Sequence, residues 1–373
     1  MMAIPLVDLA AQFAEVADEV RSGFDDVVAN TAFVGGSQVA GFEQEYAAFV
    51  GVRHCVGVGN GTDALEMAFR AVGVGSGDEV VVPANTFIAT AEAVVRAGGR
   101  PVFVDVDPHT LLLDPNCLEA ALSPRTRAVA PVSLFGQVAP VERILEAIGE
   151  RPIAIVEDAA QSQGAERLGQ RSGSFGRAAA TSFYPGKNLG AAGDAGAVTT
   201  DDDNIARAVR LMGGHGSEQK YDHEVFGFNS RLDTLQAVVL TAKLRRLKDW
   251  NARRVEAAAY YDQLLADVDQ VRIPVTAGGN LHAWHLYVVR TLQRDRLLSR
   301  LHEAGIGAGI HYPVPVPLTR AFAYMGHIPG DFPVAETAAH EILSLPLHPH
   351  VTAAQQERVV DEIGHYFAVR GAM

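Results

Sequence analysis

From residue 52 onward, short runs rich in β-branched residues alternate strictly with amphipathic segments. HCVGV is followed by a helical pattern from Asp63, EVVVP by one from Thr86, PVFVDV by one near Leu118 and RAVAPV by one from Pro140, before the apolar run IAIVEDAA. Strands and helices in that order are joined by right-handed crossovers, which lay the strands parallel and cover both faces of the sheet. Two further runs, AAATSFY and AGAVTT, follow with only a short link between them. That break predicts a hairpin or an antiparallel member.

From Asn229 to about Leu265 the pattern is helical, with Leu235, Val238, Val239, Leu244 and Leu247 on one side. The basic cluster Lys243, Arg245, Arg246 and Lys248 reads as a solvated or interface face. After residue 270 come VRIP, WHLYVVRT, a helix near Arg294 to Ala304, GIGAGIHY and two more helices. This predicts a smaller α+β domain, completed by the N-terminal segment. Internal repeats and low-complexity linkers are absent, so the two parts are expected to pack closely.

Composition narrows the function classes. A formal net charge of −13 over 373 residues argues against a surface built for nucleic acid or anionic membrane, so an anionic substrate would have to meet positive groups inside a cleft. Cys55 and Cys117 suggest neither a disulfide framework nor a zinc site, which fits a reducing compartment. The N-terminal stretch lacks the basic start and apolar core of a signal peptide. No apolar run reaches the ~18 residues of a membrane helix. A soluble cytoplasmic protein is expected.

Three stretches carry candidate chemistry. GVGNGTDAL (57–65) leads from a strand into a helix, so the N–H groups of Gly61, Thr62 and Asp63 would emerge at a helix N-terminus and could hold an anion; a plain glycine-rich turn is the competing reading. Its glycine spacing matches neither a dinucleotide fingerprint nor a Walker loop. IVEDAAQSQGA (155–165) ends a buried strand on Glu157 and Asp158, where doubly wound sheets bind ligands. A carboxylate there needs a cationic partner, such as a protonated pyridine nitrogen, unless it merely caps the next helix. In FYPGKNLGAAGDAGAV (183–198), 29 residues past Asp158, Lys187 is followed by Asn188 where a Walker loop needs Ser or Thr. Small and apolar neighbours disfavour its charged form and favour Schiff-base chemistry. Ser182 could reach a phosphate near it.

Metal and hydrolase readings fail on spacing. His223-Glu224, His302-Glu303 and His340-Glu341 lack the second histidine of H-E-x-x-H, while His282 with His285 and His348 with His350 lack a third ligand nearby. No metal site is expected. The G-x-S-x-G elbow of serine hydrolases is also missing.

An anion cup, a strand-end aspartate and a downstream lysine are together the parts that hold pyridoxal phosphate. On NGTDAL, TFIATAEAV, VDVDP, SLFGQ, EDAAQSQGA, SFYPGKNLGAAGDAGAV, NSRLDTLQA, HLYVVR, HYPVP and LSLPLHP, in order along nearly the whole chain, the sequence resembles the DegT/DnrJ/StrS-type nucleotide-sugar aminotransferases. The resemblance implies the α/β fold type I of pyridoxal-phosphate enzymes. A large cofactor domain (12–245) would hold a mostly parallel seven-stranded sheet sandwiched by helices, and a small C-terminal domain (246–373) would be completed by residues 1–11.

The same resemblance implies roles for single residues. Lys187 would form the internal aldimine and shuttle the proton, and Asp158 would pair with the pyridinium nitrogen. Gln161 would lie near the 3-hydroxyl and Phe87 on the ring face. Gly61, Thr62 and Ser182 would hold the phosphate, with Asn229 supplied by the partner of a homodimer. Tyr184, Lys220, Arg231, His311 and Tyr312 are candidate substrate contacts. Gln163 stands where many members have histidine, and an amide cannot titrate near neutral pH. The expected reaction moves an amino group from L-glutamate to a nucleotide-linked keto-sugar, with C3 of a dTDP-3-keto-6-deoxyhexose favoured over a C4 or cyclitol acceptor. A regulatory or ligand-binding relative without turnover is the alternative from another class.

Overall fold

The computed structural model describes residues 3–219 and 221–371. Its central sheet contains β1 (His54–Val58), β2 (Glu79–Pro83), β3 (Arg100–Val104), β4 (Thr126–Val129), β5 (Ala154–Asp158), β6 (Ala178–Ser182) and β7 (Gly196–Thr200), in the order β1-β7-β6-β5-β4-β2-β3. Strand β7 runs antiparallel to both neighbours, and the other pairings are parallel. The interrupted alternation is therefore an antiparallel insertion: 13 residues between Ser182 and Gly196 are too few for a crossover helix, so the chain doubles back.

Helices α1 (Gly61–Ala71), α2 (Ile88–Arg96), α3 (Val141–Ile148) and α4 (Asp203–Gly213) follow their strands and cover the sheet. Burial on both faces makes the strands nearly continuous in apolar residues. One face packs Val80, Val82, Val156 and Val198 against Leu65, Phe69, Val94 and Val209; the other packs Val81, Val129 and Ile155 against Val141, Ile144 and Ile148.

Helix α5 (Thr234–Leu265) runs unbroken through positions 245 and 246. Its first half buries Ala237, Leu240, Leu244 and Leu247 with Phe183 and Leu189 of the Lys187 loop. Its second half buries Ala257, Ala258, Tyr261 and Leu265 with Tyr287, Val289, Leu343 and Leu345. Those last residues belong to β8 (Tyr287–Arg290) and β9 (Ile342–Leu345), an antiparallel pair flanked by helices Arg294–Glu303 and Ala353–Gly371. Ile4 bridges Ile306 in parallel, so the chain start completes this second layer.

Two expectations are corrected. Residues 229–233 are not helical: Asn229 bridges Gly214, Asp233 bridges Val34, and the Ser230 N–H donates to Gly213 O at 3.1 Å, so this backbone is spent on lateral pairing. Lys243 is not on a solvated face. It is buried, and its Nζ donates to Gly190 O at 2.7 Å and to Gln12 Oε1 at 3.4 Å. Burial lowers its amine to about 8. Arg245 and Arg246 do lie outside, paired with Glu45 and Glu19.

Candidate active site

Strand β5 ends on Asp158, whose carboxylate is buried at the carboxyl edge of the sheet. Its Oδ2 accepts Thr90 Oγ1 at 2.7 Å and its Oδ1 accepts the Ala160 N–H at 3.1 Å. Because Thr90 spends its hydrogen on the carboxylate, the 2.8 Å contact with Thr86 has Thr86 Oγ1 as donor. Burial nevertheless pushes the Asp158 carboxyl above its ordinary value, against these donors and the charge of Lys187. The site lacks enough positive charge for its own carboxylate, which a protonated ring nitrogen would supply.

Lys187 sits in the loop between β6 and β7. That loop is fixed by Lys187 N–H to Tyr184 O at 2.8 Å, Ala191 N–H to Phe183 O at 2.7 Å and Phe183 N–H to Ala195 O at 2.8 Å. A Cβ on Gly190 would stand 2.2 Å from Pro185 O, so the turn that returns the chain admits only glycine there. Burial lowers the Lys187 amine to about 8, with Asp158 pulling the other way. About a tenth of the amine is then uncharged at neutral pH, against well under a thousandth for a free lysine.

The start of α1 forms the anion end. Asn60 Oδ1 caps the Asp63 N–H at 2.8 Å, and no protein acceptor among the described residues takes the Gly61 or Thr62 N–H. Ser182 lies against this terminus, since a Cβ on Gly61 would come within 2.6 Å of Ser182 Cβ. Two free N–H groups beside a hydroxyl at a helix N-terminus suit a phosphate.

Gln161 Oε1 accepts the Phe135 N–H at 2.7 Å, and its Nε2 donates to Tyr312 Oη at 3.1 Å. The Phe87 and Tyr312 rings lie 5.3 Å apart, with Phe87 half exposed. His311 Nδ1 is 2.8 Å from Ser344 Oγ, and burial with the Lys187 charge lowers its imidazole to about 4. Asp158, Lys187, Gln161, Tyr312 and His311 thus converge, with Gly61, Thr62 and Ser182 at one end.

Asn229 and Arg231 do not join them within one chain. Asn229 and Arg231 are exposed and make no hydrogen bond or ion pair with this group among the described residues. Arg231 instead lines a separate depression of about 200 Å³ with Glu43, Gly57 and Arg210. Tyr184 is 60% exposed, and Lys220 lies outside the described residues.

Sequence reasoning missed Thr86 and Thr90, which a pair of threonines four apart at a helix start could have signalled, and Asn188, hidden in plain view after the lysine. Gln163 is held by the end of β6. Its Nε2 donates to Ser182 O and Thr181 Oγ1, each at 2.9 Å, while its buried Oε1 has no partner. Among the described residues no cluster of His, Cys, Asp and Glu could hold a metal ion, and no helix is long and apolar enough to cross a membrane.

Known proteins share this fold. A dTDP-3-amino-3,4,6-trideoxy-alpha-D-glucose transaminase of Streptomyces venezuelae is 44% identical over 96% of this chain and 95% of its own length. The Saccharopolyspora erythraea protein named erythromycin biosynthesis sensory transduction protein EryC1 is 46% identical over 96% of this chain and 98% of its own. The crystal structure of S. venezuelae DesV in complex with a ketimine intermediate superposes with a TM-score of 0.96 at 43% identity, covering 98% of this chain and 99% of that one. The model of the DegT/DnrJ/EryC1/StrS aminotransferase family matches residues 15–364. With an aminotransferase fold, a strand-end aspartate and a desolvated lysine in one cleft, the chain belongs to the DegT/DnrJ/EryC1/StrS aminotransferase family.

Proposed function

We propose that this enzyme moves the amino group of L-glutamate to C3 of a nucleotide-linked 3-keto-6-deoxyhexose carried on dTDP, with pyridoxal phosphate bound between Lys187 and Asp158. The observation that carries the reading is the juxtaposition of a buried, undercharged Asp158 with a desolvated Lys187. The residues fit the cofactor: Asp158 for the ring nitrogen, Gln161 for the 3-hydroxyl, Gly61, Thr62 and Ser182 for the phosphate, and Phe87 for the ring face. When bound, pyridoxal phosphate supplies an electrophilic carbon for the amine and a conjugated ring that takes up the electron pair released at carbon.

The chain's own groups do the rest. The Lys187 amine, uncharged in part at neutral pH, would hold the cofactor covalently and, once free, would move the proton at the donor α-carbon. It then returns a proton to the sugar carbon in the second half of the cycle. Asp158, held by Thr90 and the Ala160 N–H, keeps the ring nitrogen protonated. His311, near Lys187, stays neutral and offers a hydrogen-bonding group to the sugar without competing for that proton.

The functional unit in this reading is a homodimer. Exposed Val225 and Phe226 lie on the same segment as Asn229, and a second copy covering that segment is how Asn229 would reach the partner's cleft. The large sheet domain would hold the cofactor and the β8-β9 domain would close over the substrate. The name of the S. venezuelae relative supports the dTDP-3-keto class. A regulatory relative without turnover is the second reading, favoured by the names of the S. erythraea protein and of a pleiotropic regulatory protein of Geobacillus stearothermophilus; keeping both Lys187 and Asp158 weighs against it.

The test is incubation of cofactor-loaded protein with L-glutamate and, separately, dTDP-3-keto, dTDP-4-keto and UDP-3-keto sugars. Release of 2-oxoglutarate with the dTDP-3-keto sugar, and an amine at C3 by NMR, is the expected result. Turnover only with a 4-keto sugar would reassign the acceptor carbon. No turnover with any sugar would favour the regulatory reading.

A further inference from the structure

Asn188 follows the lysine and is buried to 1% exposure, yet every polar atom of its side chain is engaged. Its Nδ2 donates to Asn251 Oδ1 on α5 at 2.9 Å and to Ala283 O at 2.8 Å. Both amide hydrogens are therefore spent, and the 3.2 Å contact with His285 Nδ1 is made by Asn188 Oδ1, an acceptor. For that contact to be a hydrogen bond, His285 must carry its proton on Nδ1.

The partners of Asn188 are themselves fixed. Asn251 Nδ2 donates to Gln163 O at 2.9 Å. The Ala283 N–H donates to Gly136 O at 2.7 Å and the Leu286 N–H to Phe135 O at 3.1 Å, which clamps His285 between them. Gly136, at a φ of +113°, is where this clamp needs glycine: a Cβ there would stand 2.6 Å from the His285 backbone nitrogen. The imidazole is buried, and the cationic or titratable groups bearing on it are Lys187, Arg254, His311 and His282. Arg254 Nη1 is turned to the Trp284, His285 and Leu347 carbonyls, and among the described residues no carboxylate offsets these groups at the ring. Burial and these neighbours hold His285 well below its ordinary value.

We propose that Asn188 is a positioning residue that locks His285, a ring that feels the Lys187 charge, in the Nδ1-protonated tautomer and leaves its Nε2 as an acceptor. A free imidazole prefers its proton on Nε2, so the lock reverses an intrinsic preference, and the second nitrogen becomes an acceptor only. Such an acceptor can orient an amine or hydroxyl hydrogen in the cleft without taking its proton. Asn188 does this while tying the Lys187 loop to α5 and to the chain segment that enters β8. The consequence for turnover rests on Lys187 being the cofactor lysine, whereas the tautomer itself does not.

The experiment uses full-length protein freed of cofactor and labelled with nitrogen-15 histidine. One ring should show the Nδ1-protonated neutral signature at neutral pH, and it should vanish in His285→Gln. Asn188→Leu should move that ring to the Nε2-protonated form. An Nε2-protonated His285 in the wild-type chain overturns the proposal even if the leucine variant fails to fold. An unchanged tautomer in a folded Asn188→Leu overturns it equally. In loaded enzyme, Asn188→Leu and His285→Gln should each lower kcat about tenfold with KM for glutamate little changed, and the double variant should lose no more than the worse single. Independent losses that multiply would overturn the coupling. Because the tautomer is read without cofactor, its failure is distinct from failure of Lys187 as the cofactor lysine, which loss of the visible cofactor band in Lys187→Ala tests.

Discussion

Thr90 Oγ1 donates to Asp158 Oδ2 at 2.7 Å, and the same oxygen accepts Thr86 Oγ1 at 2.8 Å, so a two-hydroxyl relay from the start of α2 reaches the carboxylate on β5. A hydrogen bond to a charged group contributes about 1.5–3 kcal/mol. Thr90→Val keeps the shape and removes the donor. Affinity for pyridoxal phosphate should fall roughly ten- to hundredfold, measured by titrating cofactor-free protein, while Thr90→Ser should stay near wild type. Equal affinity in the valine variant would remove Thr90 from the machinery.

Lys187 should destabilise the cofactor-free fold at neutral pH. Its amine titrates near 8 in the folded chain, against 10.5 when unperturbed, so between those values the unfolded chain binds more protons and stability rises with pH. Below about pH 8 the penalty is fully present; above about 10.5 it is gone. Lys187→Met should therefore raise the melting temperature of cofactor-free protein at pH 7, with the gain shrinking as pH climbs through that window. A gain that is flat with pH would point to packing instead of charge.

The sheet and its antiparallel insertion were legible because a period of two and a period of 3.6 are written locally, and a short link cannot hold a crossover helix. That Asp158 and Gly61 would come to the carboxyl edge of the sheet was legible because strand ends and helix starts are where doubly wound folds put ligands. What stayed hidden depends on contacts between distant segments. Nothing local distinguishes Lys243, spent on Gly190 O, from Arg245 at the surface two residues on. Residues 229–233 look helical until Gly213 and Gly214 claim their backbone. The tie between Asn188 and His285 spans 97 residues.

Gly61→Ala isolates the fit of the anion end. Alanine is a better helix former than glycine, so propensity alone would favour the change. The added methyl would meet Ser182 Cβ at 2.6 Å and push the first turn of α1 from the hydroxyl. Affinity for pyridoxal phosphate should drop more than affinity for pyridoxal, which lacks the phosphate. Equal losses for both ligands would show that the methyl disturbs the cleft generally.

Gln163 sets a final test, because its amide does work that a carboxylate cannot. The 2.9 Å contact to Ser182 O has a carbonyl on one side, and Thr181 Oγ1 accepts at 2.9 Å while donating to Ala159 O at 3.3 Å. Gln163→Glu sets an acceptor against the Ser182 carbonyl, and the Thr181 hydroxyl can serve the new carboxylate only by leaving Ala159 O, in a site only 2% exposed. Leaving buried polar groups unpaired costs about 1–3 kcal/mol each, more when one is charged. Protonation restores one hydrogen, so the introduced carboxyl should titrate above its usual range in the folded chain. Stability should then be close to wild type at low pH and be lost as pH rises past about 4.3, the unperturbed glutamate value. Melting temperatures of both proteins at about pH 5 and about pH 8 read the sign directly: the deficit of the variant should widen at the higher pH. A deficit that is the same at both would mean the side chain turns away from Ser182 and finds water.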